Sequence, residues 1–113
     1  MPEKRWLLYR GSTLDKYVVK LYARAYRDLD EIYTYIAKNL SEPGTALNMV
    51  DALEEAIFSL ELMPERGAIR RIGIYAEAGY RQIFVKNYVI IYRVLKEKKE
   101  VHIVTVRYAP SNF

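Results

Sequence analysis

The spacing of apolar residues changes period twice along this chain. Tyr17-Val18-Val19-Lys20-Leu21-Tyr22 alternates roughly and is rich in β-branched and aromatic residues. That predicts a first strand, at an edge of a sheet or beside the C-terminal strand. From Ala23 to Leu40 the step lengthens: Ala25, Tyr26, Leu29, Ile32, Tyr33, Ile36, Ala37 and Leu40 form one stripe at three- and four-residue intervals, with Asp28, Asp30, Glu31, Thr34 and Lys38 largely outside it. This is the pattern of an amphipathic helix. Ser41-Glu42-Pro43-Gly44 breaks it with helix-start chemistry, Ser41 as the cap and Pro43 in the first turn. A second helix then runs to about Leu62, with Ala46, Met49, Val50, Leu53, Ile57 and Leu60 on one face; Pro64 stops it and Gly67 frees the chain to turn.

Ile69 to Ala78 carries Ile72, Ile74 and Tyr75, which suit a short strand, but its glycines and mixed charges favour a loop. The densest apolar runs follow, Arg81 to Leu95 and Val101 to Tyr108, joined by the charged break Lys96 to Glu100. Lys86-Asn87 turns or bulges the first run and divides it into Tyr80 to Val85 and Tyr88 to Leu95. The expected fold class is α+β: a twisted antiparallel sheet with an N-terminal two-helix hairpin on one face, the other face concave and basic.

With 113 residues, the chain is long enough for one core and too short for two ordinary domains. Residues 17–113 are therefore read as a single domain. Met1 to Lys16 is read as a mobile extension or appended tail, although Trp6, the single tryptophan, could dock on the body instead. The absence of cysteine excludes disulfides and thiolate chemistry, and a lone histidine, His102, excludes a histidine-rich metal site. No cofactor or metal is implied. No apolar run reaches the ~18 residues that cross a bilayer, so the expected location is the cytoplasm, away from membranes. The net charge of +4 is unevenly spread: Arg24 to Glu65 holds three basic residues against nine acidic ones, and Ile69 to Phe113 nine basic against three acidic. Acidic helices beside a basic sheet point to an anionic partner on the sheet side.

The order strand, helix hairpin, three-stranded meander, with Tyr80 to Val94 at its centre, resembles the RelE/ParE superfamily of bacterial type II toxin-antitoxin toxins, which includes plasmid stabilisation proteins. Arg81, Ile83, Val85, Asn87, Tyr88 and Tyr92 match that family's arginine, alternating apolar residues, polar turn and Tyr-x-x-x-Tyr. Ala25, Leu29, Ile32, Leu60 and Pro64 extend the match into the helices. The resemblance implies a toxin silenced by a cognate antitoxin that wraps helices and sheet, alone as a homodimer or in a toxin-antitoxin hetero-oligomer. Its target would be DNA gyrase in the ParE branch, or ribosome-bound mRNA cut by an mRNA interferase in the RelE branch.

Metal-independent RNA cleavage needs a base, an acid and cations around the phosphorane. Where RelE-type enzymes carry basic residues, eight, six and four positions before Tyr88, this chain has Tyr80, Gln82 and Phe84, and Val89 follows Tyr88. The C-terminal run Tyr108-Ala109-Pro110-Ser111-Asn112 lacks the family's arginines. If the chain is a ribonuclease, the catalytic candidates are Arg81, Arg107 and Tyr108; Lys86, Arg93 and His102 are candidates for anion or partner binding. In an unbulged strand His102, Val104, Val106 and Tyr108 share one face and Arg107 takes the other. Each residue also has a plain structural role open to it: Arg81 binding backbone carbonyls, Lys86 solvated in a turn, His102 hydrogen-bonded. The favoured function is a ParE-like toxin acting by protein binding; an interferase, a degenerate inactive member and an RNA-binding module with Tyr75, Tyr80, Phe84 and Tyr108 as stacking residues are the alternatives.

Overall fold

The structure is a computed structural model that describes residues 16–110. The proposed extension before Lys16, and Ser111-Asn112 of the C-terminal run, lie outside the described residues. The elements are β1 (Val18–Leu21), α1 (Ala23–Thr34) continued by a π-helical turn (Tyr35–Asn39), α2 (Pro43–Ser59), β2 (Ala68–Ile69), β3 (Arg81–Val85), β4 (Tyr88–Leu95) and β5 (Glu100–Tyr108).

The two helices form where the three- and four-residue spacing placed them. Ala25, Leu29, Ile32 and Ile36 of the first, and Ala46, Met49, Leu53 and Ile57 of the second, are buried together against one face of the sheet. Such packing, more than local propensity, is what holds helices of this length. Pro43 occupies the first turn of α2 as expected, but the cap position belongs to Glu42, not Ser41, and Thr45 Oγ1 donates to the Glu42 carboxylate at 3.2 Å. The helix ends at Ser59, three residues short of Leu62, where its last carbonyls enter the turn that carries Leu60 and Glu61.

The sheet has five strands in the order β1-β5-β4-β3-β2. The three C-terminal strands form an antiparallel meander, and Lys86-Asn87 is its first turn, with φ of +54° at Lys86. β1 is an edge strand beside the C-terminal strand, and its pairing with β5 is parallel, which makes the sheet mixed. Of the stretch 69–78, only Ile69 joins the sheet, as the end of β2, while Ile72 lies in a bend and Ile74 and Tyr75 in turns.

β5 is not regular. Ile91 faces Thr105 but Tyr92 faces Ile103, so Val104 is the extra residue of a bulge. The expected parity therefore fails. Val101, Ile103, Val106 and Tyr108 stand opposite Val94, Tyr92, Ile90 and Tyr88 on the helix side, whereas His102 and Arg107 share the opposite face with Arg93 and Val89. The extra residue moves every later side chain of β5 to the other face.

The bulge lies where β1 ends. The backbone of Tyr22 donates to Ile103 O at 2.9 Å, the chain turns into α1, and the next part of the β5 edge has no strand beside it. Asp28 of α1 takes over, its Oδ2 accepting the Val106 backbone N–H at 3.0 Å and the hydroxyl of fully buried Thr105. A second constraint ties the chain after α2 to the meander. The Gly67 N–H donates to Tyr92 Oη at 2.9 Å, and Arg81 donates to Gly67 O at 2.6 Å.

Gly67 is therefore required by close approach, not by turning freedom. A Cβ there would stand 2.6 Å from Gln82 O and 2.7 Å from Tyr92 Oη. Gly67→Ala is expected to lower unfolding stability by about 1–3 kcal/mol, the usual cost of forcing an extra carbon into a packed site, read from urea denaturation midpoints.

Candidate functional site

The candidate residues fall into three places. Arg81 stands opposite Tyr92 in the register and donates to the carbonyls of Gly67 and Glu65, the latter at 3.3 Å. Four residues along β4, roughly 13 Å at the rise of a strand, separate Tyr92 from Tyr88, where the second group begins. This second group is a groove of about 690 Å³ between the helices and the β3–β4 turn. Lys86, Arg107 and Tyr108 border it, with Asp28 and Glu31 of α1 across from them and Ile36, Met49 and Val106 among its apolar lining. Tyr88 and Tyr108 meet edge to face there, ring centroids 5.7 Å apart.

The third place is the sheet face turned away from the helices. The Arg93 guanidinium lies 5.6 Å from the centre of the Tyr80 ring, which in turn makes an edge contact with Tyr75. This is a cation–π arrangement. His102 uses both ring nitrogens: Nδ1 is 3.2 Å from Tyr22 Oη and Nε2 is 2.9 Å from Glu100 Oε1, whose other oxygen is 3.0 Å from Lys20 Nζ. Hydrogen bonds from His102 and then Lys20 hold the Glu100 carboxyl below the usual carboxylate range.

The groove thus unites Lys86, Arg107 and Tyr108, while Arg81, Arg93 and His102 each sit elsewhere with partners of their own. Arg107 Nε is bonded to Thr105 Oγ1 at 3.3 Å, the same hydroxyl that Asp28 accepts. Burial, followed by the neighbouring Tyr108 and Tyr35, raises the Tyr88 phenol above its ordinary value. A phenol held protonated in this way is a poor general base near neutral pH. Among the described residues no group of three or more His, Asp or Glu side chains is placed to hold a metal ion, and no helix is long and apolar enough to cross a membrane.

Two participants escaped the sequence. Asp28 borders the apolar stripe of α1, directly before Leu29, and that adjacency to the buried face was its one available signal. Thr105 gave none, because its role depends on the bulge.

An α+β sheet with a two-helix hairpin packed on one face is the topology of RelE/ParE-type toxins. The model of the family described as the ParE toxin of the type II toxin-antitoxin system parDE matches residues 19–112, and the chain belongs to that family. Among solved structures, a chain of the chromosomal ParDE system from P. aeruginosa is similar at 25% identity and TM-score 0.68, covering 83% of this chain and 97% of that one. A chain of the toxin-antitoxin complex RelBE2 from Mycobacterium tuberculosis is 23% identical (TM-score 0.62, 85% and 94% covered). One from the archaeal RelE–RelB complex of Pyrococcus horikoshii is 16% identical (TM-score 0.56, 84% and 97% covered). These last two share the fold. No curated protein matches the chain.

Asp28→Ala is expected to destabilise the protein by about 1–3 kcal/mol for each buried group it leaves unpaired, the Val106 N–H and the Thr105 hydroxyl, as measured by chemical denaturation. Glu100 adds a pH dependence of known sign. Its folded-state carboxyl is depressed, so its contribution is complete above the unfolded carboxylate pKa, about 4.3, and is lost as pH falls through the folded value. Glu100→Gln should flatten the fall in melting temperature between about pH 5 and pH 3.

Proposed function

We propose that this chain is a ParE-like toxin that acts by binding a protein target such as DNA gyrase and is neutralised by a cognate antitoxin. The observation that carries the proposal is the dispersal of the cations. Arg81 is committed to the carbonyls of Gly67 and Glu65, Arg93 lies against Tyr80 on the far face, and Tyr108 stands on the helix side beside Tyr88. Phosphoryl transfer from a 2′-hydroxyl needs a base, an acid and phosphate-binding cations within hydrogen-bond reach of one reacting centre. Only Lys86, Arg107 and Tyr108 share one groove; Arg81 stands apart from them, bound to backbone carbonyls, so the candidate catalytic residues are not gathered around one reacting centre.

An antitoxin finds suitable surface on the helices. Tyr26, Tyr35, Leu40 and Leu47 are more than half exposed; Tyr26 shares a hollow with Asp30, and Tyr35 and Leu40 border the groove that Glu31 also lines. Exposed apolar groups of this kind, rimmed by charge, mark protein contacts. The related P. aeruginosa chain belongs to a ParDE toxin-antitoxin system, which supports the same arrangement here.

Induction of the chain alone in a bacterium, followed by pulse-labelling, tests the reading. Filamentation, stalled DNA synthesis and intact transcripts are expected, all reversed by the neighbouring antitoxin gene, and the purified chain should inhibit gyrase supercoiling. Tyr108→Phe should stay toxic. Rapid arrest of translation with cut mRNA, abolished by Tyr108→Phe or Arg107→Ala in a folded protein, would establish the ribonuclease instead.

A further inference from the structure

The connection between β2 and β3, residues 70–80, is held from within. Arg70, 8% exposed, donates from Nε to Ile74 O and from Nη1 to Gln82 Oε1, both at 2.8 Å, and its backbone N–H reaches Tyr80 O at 2.8 Å. The Tyr75 ring meets Tyr80 edge-on, and Tyr80 carries the Arg93 guanidinium. A buried arginine and a pair of rings thus fix the loop to the meander.

Its outer side chains are left in solvent. Ile72 is 79% exposed, the most open large apolar side chain among the described residues, and Ile74 is 52% exposed. Neither belongs to the hydrophobic core. Apolar residues scattered singly over a surface are ordinary, but two of them two positions apart on a clamped loop are concentrated. The backbone beside them is strained: Tyr75 and Glu77 have φ of +75° and +61°, a region that residues with a Cβ rarely adopt. Strain of this kind gathers at binding and catalytic segments, where the surroundings fix it.

A loop fixed in advance loses little freedom when a partner closes on it. The charges around it indicate the partner. From Arg66 to Lys96 there are seven basic residues and one acidic one, Glu77, and exposed Arg71 directly precedes Ile72. A polyanion would leave the two isoleucines unmatched, whereas an apolar recess with an acidic rim on a protein meets both features. We propose that this loop, through Ile72 and Ile74 with Arg71 beside them, is the contact by which the chain holds its protein target. The inference rests on the reading of the chain as a toxin that acts by binding protein, and it adds the surface used.

The test compares the full-length chain with its I72S/I74S variant, against purified DNA gyrase and in growing cells. Binding to gyrase and inhibition of supercoiling are expected to weaken about tenfold or more, with growth arrest relieved and thermal melting unchanged. L62S, which alters an exposed leucine after α2, should behave as the parent does. Full binding and arrest by a folded I72S/I74S would overturn the proposal, as would an equal loss in L62S. A parent that arrests growth without touching gyrase would remove gyrase as the target; the loop is then decided by whether I72S/I74S relieves the arrest. A parent that neither arrests growth nor binds gyrase overturns both readings. Parent binding to phosphatidylglycerol vesicles, or self-association in sedimentation, that is lost in I72S/I74S while gyrase binding persists would assign the loop to a lipid surface or a second copy instead.

Discussion

The structure depends on how β5 is paired along its two edges. One edge is held by β4 over the whole strand, but the other is held by β1 for only four residues before the chain turns into α1. An unpaired backbone group inside a packed body costs about as much as a lost hydrogen bond. Asp28 meets that cost from the helix, accepting the Val106 N–H and the Thr105 hydroxyl, and the bulge at Val104 lies beside this junction. One carboxylate thereby joins the helical layer to the sheet where the strand ladder stops.

The same bulge decides the chemistry that is available. By shifting the later half of β5 it sends Tyr108 to the helix side beside Tyr88 and puts Arg107 in register with Val89, at the strand edge where, bonded to Thr105, it still borders the groove. The groove that results has an acidic wall from α1 and basic residues from the meander. Arg81 belongs to the architecture: together with Tyr92 and Gly67 it anchors the turn after α2, and the charge that a sequence motif singles out is used to hold backbone carbonyls.

The basic character of the sheet survives in a different form. Lys20, Glu100, His102 and Tyr22 make one connected network, Arg93 packs on Tyr80, and Lys96 pairs with Glu65 at 2.8 Å. Charges with local partners contribute less to a long-range field than their number implies, since exposed pairs are each worth little and are screened by salt.

The sequence by itself determined the main elements and their order, though not the two-residue β2. The spacing of Ala25, Leu29, Ile32 and Ile36 required a helix with one buried face, and the β-branched density from Ile83 to Val94 required central strands, because both periodicities follow from backbone geometry alone. Arg81, Ile83, Val85, Asn87, Tyr88 and Tyr92 also carried the family. Only the tertiary structure decided which side chains meet. Facing in a strand alternates residue by residue, so a single extra residue at Val104 reversed the placement of Tyr108 relative to His102. That residue became extra because β1 ends beside Ile103 and Asp28, seventy-eight positions before Val106, takes the next bond. Contacts at such separation follow from chain packing, and local sequence pattern carries no signal of them.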